Sequence, residues 1–169
     1  MSTYITAGVT ILGFIVTYFL NKRNFKEEIN RQKSNINLHK MADLPYKIQE
    51  LLDIAIEKQN EKTVLAKFKE LMTSIFAYGS PEAIALIANM QELNYSLANN
   101  PGNAAKKKLV VYYVLLLCQV KYDLTGTEVN PEFWYRMRMT DYAIKKQSFA
   151  KHGNEIVKKL GLGTFLMIT

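Results

Sequence analysis

The longest apolar stretch of the chain lies near its N-terminus, where residues 3 to 20 read TYITAGVTILGFIVTYFL without one charged side chain. An α-helix rises 1.5 Å per residue, so this segment would reach about 27 Å, close to the ~30 Å thickness of the hydrocarbon core of a bilayer. The pattern therefore predicts a single transmembrane helix over residues 1–21.

Small and hydroxylated residues recur along this segment at steps of three and four, which places them on one face of a helix. This threonine face consists of Thr3, Thr6, Thr10, Gly13 and Thr17, and the opposite face carries Ile5, Val9, Leu12, Val16 and Phe19. Helices in lipid associate through close packing and hydrogen bonding, which such a face provides. We therefore expect a homo-oligomer, in which the threonine face is either a dry seam between helices or the lining of a polar pore.

The rest of the chain shows the periodicity of helices. Residues 22–44 predict a basic juxtamembrane helix, with Phe25, Ile29 and Ile36 at coiled-coil spacing. The break at Leu44-Pro45 separates it from a helical domain over residues 45–169. Since no segment alternates between apolar and polar residues as a strand does, the sequence predicts an all-α protein: a transmembrane helix followed by a compact cytoplasmic helical bundle.

Residues that favour helix ends mark several boundaries in this domain. Thr63 is predicted to cap one helix, and Gly79 to end it. Ser80-Pro81-Glu82 and Asn130-Pro131-Glu132 each combine an N-cap residue, a proline in the first turn and an acid beside it. Each of these two motifs therefore predicts the start of a new helix.

A second apolar run, LVVYYVLLLC, covers residues 109 to 118. Ten residues are too few to span a bilayer, so the run predicts a central helix that is buried on all sides. Farther along, the helix that contains Trp134 is expected to be interrupted near Thr140 and to end at His152-Gly153-Asn154. A short helix and an apolar C-terminal tail are expected to follow.

Basic residues are concentrated at both ends of the chain, whose net charge is +7. Residues 21–40 carry six Lys or Arg against two Glu, residues 41–100 carry five against eight acidic residues, and residues 101–169 carry eleven against five. The first cluster holds Lys22, Arg23, Lys26, Arg31 and Lys33, each of which contributes about 1 kcal/mol of attraction to anionic lipid headgroups. By the positive-inside rule, the N-terminus lies outside and the domain is cytoplasmic.

A cleaved signal peptide is the competing interpretation of the apolar segment. Such a peptide needs a basic region before its apolar core and a small-residue cleavage site after it. Neither is present around residues 3 to 20. We therefore expect the segment to be retained as an anchor in contact with membrane lipid.

Few residues in the chain suit metal binding or nucleophilic catalysis. Cys118 is the only cysteine and lies in the second apolar run, so it predicts a small buried side chain and no intramolecular disulfide. The two histidines, His39 and His152, do not make a metal-ligand cluster, and no phosphate-binding loop or nucleophile motif is present. We expect no metal, no cofactor, no small-molecule substrate and no enzymatic activity.

One catalytic candidate is the pair Gln147 and His152, which lies among Lys145, Lys146 and Lys151. A histidine beside cations suits acid/base chemistry on a ribose hydroxyl, with the lysines holding phosphate. The simpler interpretation is that His152, just before a glycine, stabilises the end of a helix through the helix dipole. The sequence favours this simpler interpretation.

The segment Phe133 to Arg138 combines aromatic residues with arginines and contains the only tryptophan. Trp134, Arg136 and Arg138 are candidate interface anchors between subunits, because Trp and Arg are enriched at protein interfaces. A core tryptophan with arginines turned to solvent fits the same pattern, and stacking on nucleic acid is a third interpretation.

An N-terminal span, a helical domain and the element from Gln147 to His152 together resemble the small transmembrane accessory protein of type VI-B, RNA-targeting CRISPR systems. The resemblance implies a divergent HEPN-like domain in the bacterial inner membrane, a role in antiphage defence, and a CRISPR effector or RNA as partners. HEPN nucleases carry Arg-x4-6-His, whereas this chain has glutamine at position 147. It therefore lacks the fixed cation that would hold a scissile phosphate.

Three functions remain open on these grounds. The first is a homo-oligomeric membrane effector that forms a pore or depolarises the membrane. The second is a membrane-tethered HEPN-like ribonuclease that uses His152. The third is a tethered interaction module without activity. We favour the first, because the threonine face provides a means of assembly.

Overall fold

A computed structural model describes residues 38–56, 61–99 and 103–169, and all regular structure in them is helical. The all-α prediction is thereby confirmed for this part of the chain. The predicted transmembrane helix, the threonine face and the basic cluster at residues 22–33 lie outside the described residues. In chain order the helices are α1 (Leu44–Ile56), α2 (Glu61–Tyr78), α3 (Pro81–Asn99), α4 (Asn103–Thr125), α5 (Pro131–Arg138), α6 (Tyr142–Leu160) and a 3-10 turn (Thr164–Leu166).

Helix α4 is the centre of the bundle formed by residues 40–169. It packs against α1, α3, α5 and α6, and its residues Val111 to Leu116 are all buried. Cys118 and Val120 continue this buried surface toward the end of the helix. The prediction of a central helix buried on all sides is confirmed. None of the helices in the described residues has the length and apolarity to cross a membrane.

The helix boundaries that short motifs predicted are confirmed at α3 and α5. Helix α2 ends at Tyr78, and the hydroxyl of Ser80 accepts a hydrogen bond from the Ala83 amide (3.2 Å) in the first turn of α3. The side chain of Asn130 likewise accepts from the Glu132 amide (2.9 Å) at the start of α5. These caps satisfy amide groups that have no partner within their own helix.

The prediction for Thr63 is wrong, because α2 begins two residues earlier, at Glu61. Glu and Lys are both good helix formers, so residues 61 and 62 favour an earlier start of the helix. Thr63 is therefore a helical residue within the first turn.

The predicted helix end at His152-Gly153-Asn154 is also wrong, whereas the break near Thr140 is confirmed. Helix α5 ends at Arg138, and α6 runs without interruption from Tyr142 to Leu160. Gly153 is buried inside α6, facing α4, so it belongs to a helix contact. The helix ends instead at Gly161, whose φ of 63° is in the left-handed region that glycine adopts easily.

Asn154 holds the C-terminal tail against α6. Its side-chain amide donates to the carbonyl of Ile168 and accepts from the amide of the same residue, both at 2.9 Å. Asn130 donates to the carbonyl of Met167 at 2.7 Å. Because Leu166 and Ile168 are buried, the apolar tail is part of the core.

Gly153 inside α6 and Gly161 just after it give a direct test of how this helix packs and where it ends. A methyl group at Gly153 would lie 3.7 Å from Cγ1 of Val111, an ordinary contact, and glycine inside a helix costs about 0.5–1 kcal/mol relative to alanine. We expect Gly153→Ala to raise the free energy of unfolding by that amount. Gly161→Ala should lower it by about 1 kcal/mol, because a left-handed backbone is strained for alanine. Denaturant titration of both variants measures the two signs, and destabilisation by Gly153→Ala would contradict the assigned packing.

Candidate functional site

The structure does not bring Gln147 and His152 together. They are five positions apart on the helix, which turns their side chains about 140° apart around α6. Gln147 is exposed, and Nδ1 of the partly buried His152 lies 3.8 Å from a carboxylate oxygen of Glu155. His152 is eight residues before the last residue of α6, so the helix-dipole interpretation is wrong as well. Neither the catalytic nor the helix-end interpretation describes its surroundings.

Two of the three lysines near His152 pair with neighbouring carboxylates. Lys145 pairs with Asp141 on its own helix, and Nζ of Lys146 lies 3.2 Å from a carboxylate oxygen of Glu132 on α5. Lys151 is exposed. Lys146 therefore faces α5, and the predicted arrangement of lysines around His152 is not formed.

Trp134 and Arg138 attach α5 to α1. The Trp134 side chain is only 8% exposed, and its indole N–H donates to Oε1 of Gln49 at 2.8 Å. Arg138 donates to both carboxylate oxygens of Asp53, at 3.0 and 2.7 Å. Of the sequence interpretations, the core tryptophan is the one that describes Trp134, because its ring is buried and its N–H bonds to another helix of the same chain.

Arg136 lies at the edge of a cleft between α5 and α6. The cleft has a volume of about 400 Å³ and is lined by Glu132, Arg136, Met139, Thr140, Tyr142, Ala143 and Lys146. Arg136 is exposed, and in the described residues its guanidinium has neither a hydrogen bond nor a carboxylate partner. The role of Arg136 as an interface anchor stays a prediction. Its position makes it available to a ligand in the cleft.

Tyr142 lines this cleft and carries a buried polar group without a partner. Its side chain is buried, yet its hydroxyl has no hydrogen-bond partner. Burial raises the pKa of this phenol, the Glu132 carboxylate raises it further, and the Arg136 guanidinium lowers it. The phenol group therefore lies within reach of the charges of two other residues that line the cleft.

An aromatic cluster fixes the position of Tyr142. Its ring stacks on that of Tyr135, with centroids 5.4 Å apart and planes inclined by 8°. The ring of Phe149, also on α6, contacts the same Tyr135 ring, with centroids 4.7 Å apart. Such aromatic contacts stabilise a core beyond simple burial. They hold the start of α6 against α5 and so define the shape of the cleft.

The first turn of α6 opens into the cleft without a side-chain cap. Asp141 occupies the N-cap position, but its carboxylate pairs with Lys145 and makes no capping hydrogen bond. The amide of Ala143 has no hydrogen-bond partner among the described residues. The start of a helix carries partial positive charge, so this end adds to the positive character of the cleft.

Sequence reasoning identified some residues of this cleft but not their association. The sequence predicts Arg136 as an interface residue and Lys146 as a phosphate ligand beside His152. For Thr140 it predicts only an interruption of the helix. The spacing of Glu132 and Arg136 places them on one face of α5, and the predicted break near Thr140 allows α6 to turn back. The unpartnered Tyr142 hydroxyl has no signature in the sequence.

No metal site is apparent in the described residues, where three or more His, Cys, Asp or Glu side chains are nowhere grouped closely enough to hold an ion. No protein-family model, curated protein or solved structure matches the chain. The resemblance to the accessory protein of type VI-B CRISPR systems therefore stays a prediction that rests on the sequence.

Proposed function

We propose that the protein is a single-pass membrane effector whose copies associate through residues 3–20 and whose helical bundle lies in the cytoplasm. The observation that carries this proposal is the uncharged run of eighteen residues with a threonine face along it. A face of small and hydroxylated residues gives helices in lipid both close packing and hydrogen bonds. The five basic residues that follow support the orientation.

The bundle supports the proposal by supplying a separately packed unit. Residues 40–169 have their own core, built around α4 and closed by the C-terminal tail. Such a unit is able to keep its fold while the segment before it assembles in lipid. A role in antiphage defence, with depolarisation of the membrane as its effect, is the biological setting that the sequence resemblance suggests.

Nothing in the arrangement around His152 favours the ribonuclease hypothesis. A ribonuclease of this type needs its histidine beside a group that holds the scissile phosphate. His152 has Glu155 as its charged neighbour, and the nearby Lys145 and Lys146 are paired with other carboxylates. We therefore keep the membrane effector as the proposed function.

Disulfide crosslinking in membranes tests the proposed association. We expect full-length Thr10→Cys to form covalent multimers under mild oxidation, because Thr10 lies on the proposed contact face. Leu12→Cys is the matched control, since position 12 lies on the opposite face, about 160° away around the helix. The native Cys118 does not interfere, because it is buried, and burial raises the pKa of its thiol to about 12.

The two cysteine variants give opposite results only if the threonine face is the contact surface. Exclusively monomeric Thr10→Cys protein would contradict the proposal. Equal crosslinking of Leu12→Cys would show that the copies meet at random and would also contradict it.

A further inference from the structure

We propose that the cleft between α5 and α6 binds the phosphate group of a small molecule, with Arg136, Lys146 and Tyr142 as its main donors. This inference does not depend on self-association in the membrane. It adds a ligand to a part of the chain for which the proposed function gives no role.

Several hydrogen-bond donors meet in the cleft. Arg136 brings a guanidinium without a partner, Lys146 an ammonium group and Thr140 a hydroxyl, and the uncapped amide of Ala143 lies at the start of α6. A guanidinium binds phosphate through two parallel hydrogen bonds, and helix N-termini bind anions through backbone amides. A phosphate group, with three terminal oxygens, uses more of these donors than a carboxylate does.

The hydroxyl of Tyr142 is the observation that separates this cleft from an ordinary basic surface. A buried polar group without a partner costs about 1–3 kcal/mol, so native proteins rarely keep one without a reason. Tyr142 and Arg136 both line the cleft, and the guanidinium lowers the pKa of the phenol. A phosphate oxygen bound to Arg136 would accept the missing hydrogen bond.

Glu132 is the only carboxylate in the lining of the cleft, and it lowers the affinity of the cleft for an anion. Its side chain pairs with Lys146 at 3.2 Å and repels an anion. Binding of phosphate therefore requires Lys146 to exchange one anionic partner for another. This competition predicts that removal of the Glu132 charge strengthens binding, which is the opposite of the effect expected from damage to the fold.

The size of the cleft favours a small molecule. Its volume of about 400 Å³ lies near the lower end of the range for small-ligand sites, which is about 300–1,000 Å³. Met139 and Ala143 add apolar wall beside the charged groups, which suits the organic part of a nucleotide-sized ligand. A polymeric nucleic acid would instead follow an extended basic surface.

Calorimetric titration of the full-length protein in detergent tests the proposal, with inorganic phosphate and ADP as probes at constant ionic strength. We expect saturable binding of one ADP per chain and weaker binding of phosphate. Arg136→Gln should weaken ADP binding by a factor of about 10 or more, because hydrogen bonds to charged groups are the strong ones. Arg138→Gln is the matched control, since Arg138 is engaged by Asp53 outside the cleft, and it should leave the affinity unchanged.

Two further variants separate a binding role from a structural one. Tyr142→Phe should weaken ADP binding by a factor of about 5–10 while leaving the free protein at least as stable, because the unpartnered hydroxyl is removed. Glu132→Gln should strengthen binding several-fold. No saturable binding of either probe, or equal binding by Arg136→Gln and the unaltered chain, would overturn the proposal. Binding of an RNA oligonucleotide without binding of phosphate or ADP would overturn it in favour of a nucleic-acid surface.

Discussion

Replacement of Tyr135 by alanine is expected to lower the free energy of unfolding by about 3–5 kcal/mol, the usual cost of removing a large aromatic side chain from a core. Tyr135 is only 1% exposed. Its ring contacts those of Trp134 at 5.6 Å, Tyr142 at 5.4 Å and Phe149 at 4.7 Å. Removal of this ring therefore leaves a cavity at the junction of α5 and α6.

Denaturant titration of the full-length chain measures this effect through the fluorescence of Trp134, the only tryptophan. Phe133→Ala is the matched control on the same helix. The Phe133 side chain is 56% exposed, so its loss should change the free energy of unfolding by less than about 0.5 kcal/mol. Equal losses for the two variants would contradict the placement of Tyr135 at the centre of the aromatic cluster.

Asn154→Ala is expected to cost about 2–3 kcal/mol by releasing the C-terminal tail. The variant loses two hydrogen bonds to the backbone of Ile168 and leaves that residue's buried amide and carbonyl without partners. The tail then keeps the hydrogen bond from Asn130 to the Met167 carbonyl and the packing of Leu166 and Ile168. The same denaturant titration measures the loss, and faster digestion by carboxypeptidase reports the release of the tail.

Gln147→Ala provides the reference for Asn154→Ala. Gln147 lies on the same helix, is exposed, and its side chain makes no hydrogen bond within the described residues, so its removal should be nearly neutral. A tail that resists carboxypeptidase equally in both variants would show that Asn154 does not hold it.

Features of the fold that depend on neighbouring residues could be predicted from the sequence. Ser80 and Asn130 cap helices through amide groups two or three residues away, so a short motif contains the whole interaction. The burial of Val111 to Leu116 follows from the apolarity and the length of the run that contains them, which decide between a core helix and a membrane span.

The wrong helix end at residues 152–154 concerns residues whose partners are distant in the sequence. The sequence pattern predicts a helix end at Gly153 because glycine often has that role, but the residue lies against Val111 of α4. The same pattern places Asn154 at that helix end, whereas its partner Ile168 is 14 residues farther along. Periodicity and capping signals contain no information about such pairs.

The candidate cleft could be predicted only in part for the same reason. The residues of α5 that face it follow from helical spacing, but the approach of α6 depends on the backbone at residues 139–141 and on the stacking of Tyr135 against Tyr142. The hydrogen bond from the indole N–H of Trp134 to Gln49, which sets the position of α5, joins residues 85 apart in the chain. Only the folded chain brings these groups together.

The mass of the full-length protein in detergent, measured by light scattering with the detergent contribution subtracted, tests the central claim most directly. We predict a defined multimer of the 19.4 kDa chain, and a shift toward the monomer when the threonine face is blocked by Thr10→Leu and Gly13→Leu. A mass of one chain at every protein concentration would contradict the account, as would a multimer that both substitutions leave unchanged.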